Sequence, residues 1–282
     1  MKPCPPLAQI RSVIPETHAV GESSPPHRKT RWPGPLVILC CLVNLTMADE
    51  PAISEVRKNA EQGNAAAQLL LALYFDTGNG VPKNEAEAVK WYRKAADQGN
   101  ARAQILLAGR YAEGAPGVPK DEAEAAKWFR KAADQGDAQS QFNLGIFYNE
   151  GTAVPKDDAE ALKWFRKAAA QGDADAQYNV GLYYFRGTAV PKDDAEAFKW
   201  FRKAADQGMV QAQAMVGLAY VAGSGVSENK ILAYMWFNLA AAAGDEDGRT
   251  GRDGCSKFMT QEQIAEAQKL SREWKPMKTP DH

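Results

Sequence analysis

The sequence predicts an all-α protein: an α/α solenoid of five two-helix repeats closed by a C-terminal capping helix. Three observations predict it. The tetrapeptides Lys90-Trp91-Tyr92-Arg93, Lys127-Trp128-Phe129-Arg130, Lys163-Trp164-Phe165-Arg166 and Lys199-Trp200-Phe201-Arg202, with a diverged Met235-Trp236-Phe237-Asn238, set their tryptophans 37, 36, 36 and 36 residues apart. A fixed period of this length marks a stacked repeat array. Within each period apolar residues recur at helical spacing in two stretches. Between the stretches Val81-Pro82, Val118-Pro119, Val154-Pro155 and Val190-Pro191 stop a helix from running on.

From the N-terminus, residues 1–48 read as a leader. Arg28, Lys29 and Arg31 precede the apolar run from Leu36 to Val43, and Thr46-Met47-Ala48 offers small residues where a signal peptidase reads. The apolar run of about ten residues falls short of the ~20 that a spanning helix needs. It is therefore expected to be a secretory signal peptide with a long Pro-rich front end, cleaved after Ala48, which would place the protein in a bacterial periplasm or outside the cell. If retained, the same run would make a membrane-anchored assembly scaffold. Residues 49–62 read as a half-repeat covering the first full copy, and the copies run 63–98, 99–135, 136–171, 172–207 and 208–243.

In the copy that starts at Gly136, Ala138, Gln141, Leu144, Gly145 and Tyr148 share one helical face between Asp137 as N-cap and Gly151 as left-handed terminator. The second helix opens on Asp157 and Glu160, an arrangement repeated by Asn84/Glu87, Asp121/Glu124 and Asp193/Glu196. Ala72, Ala108, Gly145, Gly181 and Gly217 hold one slot, where only Gly or Ala implies that a neighbouring backbone comes close. Phe75, Tyr111, Tyr148, Tyr184 and Tyr220 hold another. After the fifth copy, Gly244, Gly248, Gly251 and Gly254 break up what would be the first helix of a sixth, so residues 245–258 are expected to be a mobile connector. A capping box at Thr260-Gln261-Glu262-Gln263 then starts a final helix with Ile264, Ala267, Leu270 and Trp274 on one side, the expected cap of a segment 244–282.

The fourth copy, with Ala174, Ala176, Gln177, Val180, Gly181, Tyr184, Gly187, Ala197, Trp200, Phe201, Lys203, Ala204, Ala205, Gln207 and Gly208, resembles the Sel-one-like repeat family, a relative of the tetratricopeptide repeats. The resemblance covers residues 63–244. It implies a right-handed superhelix whose first helices line a concave surface, and an adaptor for other proteins rather than a catalyst.

Composition narrows the function. Five of the 34 basic and two of the 35 acidic residues lie in the leader, leaving 29 and 33, a net charge of −4 and no basic stripe for nucleic acid. Cys4, Cys40 and Cys41 also fall in the leader and Cys255 alone remains, so the chain has no disulfide framework. The histidines are His18, His27 and His282, none of them in a repeat, which leaves no imidazole for a triad or a His-ligated metal. No cofactor is expected. Ser227-Glu228-Asn229-Lys230 matches the Ser-x-x-Lys nucleophile motif, so a β-lactam-binding or cell-wall hydrolase-type enzyme using Ser227 and Lys230 is the alternative. Ser227, however, stands in the loop slot that proline fills elsewhere.

Binding determinants belong where the copies disagree. On the first helices, one face carries Leu70, Leu106, Asn143, Asn179 and Met215, then Tyr74, Arg110, Phe147, Tyr183 and Ala219, then Thr77, Glu113, Glu150, Arg186 and Ala222. Tyr74, Arg110, Glu113, Asn143, Phe147, Glu150, Asn179, Tyr183 and Arg186 are the candidates for holding a protein or peptide in the concave groove. Phe147 and Tyr183 could equally be filler between repeats. On the second helices, Glu124/Lys127, Glu160/Lys163 and Glu196/Lys199 and the Arg-Lys pairs that follow read as a solvated convex face.

Overall fold

A computed structural model describes residues 50–277 of the chain. Among them are thirteen α-helices and no strand. A lone helix, α1 (Glu50–Glu61), precedes five helix pairs: α2 (Ala65–Thr77) with α3 (Glu85–Asp97), α4 (Ala101–Glu113) with α5 (Glu122–Asp134), α6 (Ala138–Glu150) with α7 (Asp158–Ala170), α8 (Ala174–Arg186) with α9 (Asp194–Asp206), and α10 (Val210–Ala222) with α11 (Lys230–Ala242). Two further helices, α12 (Glu246–Ser256) and α13 (Gln261–Glu273), complete the fold. The leader and its cleavage site lie outside the described residues.

The local sequence accounts for most helix ends. Asn64, Asn100, Asp137 and Asp173 cap the first helices through side-chain oxygens. In the fifth copy Met209 stands at the cap position and makes no such bond. Asn84, Asp121, Asp157, Asp193 and Asn229 cap the second helices, and acidic residues in the first turn of most of them favour the helix dipole. Gly78, Gly151, Gly187 and Gly223 end first helices at φ between 65° and 77°.

The described residues fall into two compact units, one ending at Trp164 and one beginning at Phe165. In the first, the core follows the repeat period: Leu71, Leu107 and Leu144 of the first helices and Tyr92 and Phe129 of the second are fully buried. A polar ladder runs beside it. Gln68, Gln104 and Gln141 each donate from Nε2 to a carbonyl near the end of the preceding helix, Ala60, Ala96 and Ala133, at 3.1 Å. Gln98 and Gln135 then donate to the side-chain oxygens of Gln68 and Gln104 at 2.7 and 2.8 Å. Each buried amide is thus satisfied across a repeat junction, where an unpaired one would cost about 1–3 kcal/mol.

The second unit uses the same ladder: Gln177 donates to the Ala169 carbonyl at 3.2 Å, and Gln207 donates to Gln177 at 2.8 Å. Its small-residue slot corrects one expectation. A methyl group on Gly181 would lie 2.7 Å from the ring of Phe201, and one on Gly217 would lie 2.8 Å from that of Phe237. The close neighbour is therefore the aromatic that follows the tryptophan in the same repeat, not a backbone.

The Gly-rich connector is a second correction. Residues 246–256 form α12, a regular helix capped by Asp245, which accepts from Gly248 N–H at 2.7 Å. Glycine disfavours a helix by about 1 kcal/mol per residue. Here it also lets two helices touch: a methyl on Gly248 would sit 2.6 Å from the Ala240 Cβ, and one on Gly251 would sit 2.5 Å from the Phe237 ring. Gly248 and Gly251 are the contact face of a sixth first helix on α11. Next, α13 carries the full capping box of Thr260 and Gln263. Trp274 at its end meets Trp236 edge to face at 5.9 Å, and Met277 N–H donates to the Asp206 carbonyl at 2.7 Å.

Candidate functional site

The residues proposed to line the first-helix face divide by burial. Asn143 is wholly inaccessible, and Phe147, Tyr183 and Tyr74 are 3%, 6% and 7% exposed. Phe147 packs on Phe129 at a centroid distance of 6.1 Å, and Tyr183 packs on Phe165 at 6.0 Å. These aromatics are filler between one repeat's second helix and the next repeat's first. In contrast, Glu113, Glu150 and Arg186 are exposed, and Asn179 and Arg110 are half-buried. Asn179 Nδ2 turns back to the Asp175 carbonyl at 2.8 Å.

In the first unit the joint between the first and second repeats departs from this rule. Tyr92 stands where later copies have phenylalanine, and Arg110 where the third and fourth have Phe147 and Tyr183. The corresponding apolar pair is thus replaced by a phenol and a guanidinium. Asp76, in a slot held elsewhere by Ala112, Asn149, Phe185 and Val221, reconciles them. Its Oδ2 accepts from Arg110 Nη2 at 2.6 Å and from the Tyr92 hydroxyl at 3.1 Å, with the Asp76 side chain 5% and that of Arg110 15% exposed. Burial, with the Asp76 carboxylate second, pushes the Tyr92 phenol well above its ordinary range, so it stays protonated. For Arg110 burial opposes the charge, yet the hydrogen bond to Asp76 together with the charges of Asp76 and its neighbours outweighs it and holds the guanidinium more firmly protonated than usual. Asp76 Oδ1 is buried and accepts nothing. Comparing the copies at positions 76, 92 and 110 would have revealed this cluster.

The second helices carry their own regularity. Lys90, Lys127, Lys163 and Lys199 pair with the glutamate three residues earlier at 2.5–3.0 Å and are more than half exposed, as expected of a solvated face. The arginines do something else. In the first unit Arg93 and Arg130 donate to the hydroxyls of Tyr111 and Tyr148 and lie 5.5 Å from those ring centres. Arg166 does the same to Tyr184 in the second unit, at 2.6 Å to the hydroxyl and 5.4 Å to the ring. They clasp one repeat to the next. Lys94, Lys131 and Lys203 lie 3.7–4.1 Å from the centres of the tryptophan rings one turn earlier.

Ser227 is exposed in the loop before α11, Lys230 is the first residue of that helix, and Asn229 between them is its N-cap. No hydrogen bond joins Ser227 to Lys230 among the described residues. No group of three or more His, Cys, Asp or Glu among them could hold a metal ion, and no helix among them is long and apolar enough to cross a membrane.

The Sel1 repeat model matches this sequence five times, over residues 65–100, 101–137, 138–173, 174–209 and 210–245. The chain belongs to the Sel1 repeat family. Each of the five matches starts two residues after the corresponding boundary drawn from the tryptophan period, so the family unit opens at the first helix itself. The chain is similar to a solved protective antigen of uropathogenic Escherichia coli with an SLR fold, at 37% identity and a TM-score of 0.68, over 81% of this chain and 49% of that one. It is also similar to a Sel1 repeat protein of Oxalobacter formigenes, at 33% identity and a TM-score of 0.67, over 80% of this chain and 94% of that one. The chain thus spans about half the length of the antigen. No curated protein matches. Sel1 repeat proteins generally mediate contacts between proteins, and the solenoid neighbours are generally not enzymes.

Proposed function

We propose that this Sel1 protein is an exported, non-enzymatic adaptor that binds a protein or peptide partner along the exposed face of its first helices. One observation carries the reading. The Gly/Ala and tryptophan slots keep their residue type from copy to copy, whereas the last exposed turn of the first helices changes from Glu113 and Glu150 to Arg186. Stacking alone explains the first pattern; a surface that must match something outside the chain explains the second. Export is the function of the apolar leader in this reading, and it delivers the adaptor to a periplasm or the exterior.

The test compares two variants for capture of partners from the native host. Replacing Glu113, Glu150 and Arg186 together by Ala should abolish capture with little change in melting temperature, since exposed polar positions are each worth within about ±0.5 kcal/mol. Reversing Lys127 and Lys199 to Glu on the second helices should leave capture intact. The opposite result would move recognition to the second helices.

A further inference from the structure

The polar joint of the first and second repeats serves no need of stacking. The third and fourth copies make the equivalent contact with Phe129 on Phe147 and Phe165 on Tyr183, and a buried ion pair is seldom more stabilising than such apolar packing. What the joint adds is a pair of guanidiniums short of acceptors. Of Arg110's five N–H donors, only one on Nη2 has an acceptor. Arg102, half-buried in the first turn of α4, has no acidic partner among the described residues, and burial lowers its pKa. With Tyr92 protonated, the carboxylates that act on Arg110 are Asp76, by contact, and Glu85, at longer range, and neither acts on Arg102.

Arg102, Leu106 and Arg110 are spaced i, i+4, i+8, so they lie on one face of α4 about 6 Å apart along the axis. An extended chain rising ~3.3 Å per residue, with alternate side chains on one side, places residues i, i+2 and i+4 at the same intervals. The face therefore matches an acid, an apolar residue and a second acid at alternate positions of an extended segment. Glu113, exposed one turn beyond Arg110, ends the basic stretch.

Resting on the adaptor reading above, we propose that this face of α4 binds an acidic segment of the partner, its two carboxylates on Arg102 and Arg110 and its apolar side chain on Leu106. Asp76 and Tyr92 act as positioning residues that hold Arg110 at the joint.

Fluorescence anisotropy with the full chain and the labelled peptide Gly-Ser-Glu-Ser-Leu-Ser-Glu-Ser-Gly tests this. It should bind at least about tenfold tighter than the same peptide with both Glu changed to Gln, and lose affinity as salt is raised. Arg102→Ala should weaken binding about tenfold, and Arg102→Lys should keep part of it, as a point charge replaces a fork. Because Arg110→Ala alone would strand Asp76, the second variant is Asp76→Ala with Tyr92→Phe and Arg110→Tyr, which gives the joint the residue types of later repeats. It should fold, by circular dichroism, and lose the preference for Glu. Equal binding of the Glu and Gln peptides would overturn the acidic assignment and leave the adaptor reading standing. So would absence of binding up to about 1 mM, the weak limit of specific recognition, while partner capture persists. Full affinity in the triple variant would overturn the location, and tighter binding of a peptide with phosphoserine in place of Glu would overturn carboxylate as the anion.

Discussion

Asp76 shows how one side chain can decide what its neighbours cost. It turns Tyr92 and Arg110, each out of place in a repeat core, into a hydrogen-bonded group. Arg110→Ala should therefore cost about 3–5 kcal/mol, the penalty for leaving a buried charge without its partner. Exchange of all three residues for Ala, Phe and Tyr should be close to neutral in urea denaturation. Equal losses for the two variants would mean that the pair itself, rather than its disruption, sets the stability. A second residue-scale prediction concerns Ala189, the one non-glycine at positive φ (60°) among the described residues, in a loop slot where Gly80, Gly117 and Gly225 stand in other copies. The left-handed conformation costs an L-residue about 1–2 kcal/mol, partly offset by glycine's larger entropy loss on folding. Ala189→Gly should stabilise by about 0.5–1 kcal/mol, and a lower melting temperature would show that the loop carries no such strain.

At the scale of elements, α12 separates two consequences of glycine. As an exposed helix, the segment would gain about 1 kcal/mol from Gly251→Ala through propensity. Packed on Phe237, it should instead lose about 1–3 kcal/mol through overpacking. The sign of the change in thermal melting decides between them, and a gain would refute the docked helix. The Arg–Tyr clasps and the Gln ladder belong to the same scale. Both join a helix to the next repeat, and neither follows from the apolar periodicity of a single helix.

For the whole molecule, a repeat array ties stability to position. Trp164 is 2% exposed within the repeats, and Trp164→Ala should cost about 3–5 kcal/mol. Trp274 is half-buried at the end of α13, so Trp274→Ala should cost less and loosen mainly the C-terminal helices, as hydrogen exchange would report. Equal denaturation midpoints would contradict a linear array. Export is also a property of the whole chain: intact mass of protein from the native host should begin at Asp49, and an unprocessed N-terminus in the cytosol would end the periplasmic proposal.

The sequence by itself determined the all-α class, the repeat and the helix pair, because the tryptophan period, the proline in the turn and the Asn/Asp caps are local signals that a helix reads within a few residues. Only the tertiary structure decided which varied positions face outward. Asn143, Phe147, Tyr183 and Tyr74 vary as a recognition surface would and are buried, since a junction between unlike repeats also needs unlike fillers. The glycines of residues 244–254 carried a similar ambiguity: the feature that weakens a helix in water is what allows it to lie against Phe237 and Ala240. The joint of Asp76, Tyr92 and Arg110 brings together residues up to 34 positions apart. Each alone reads as an exception to the repeat, and their distances in space make them one group.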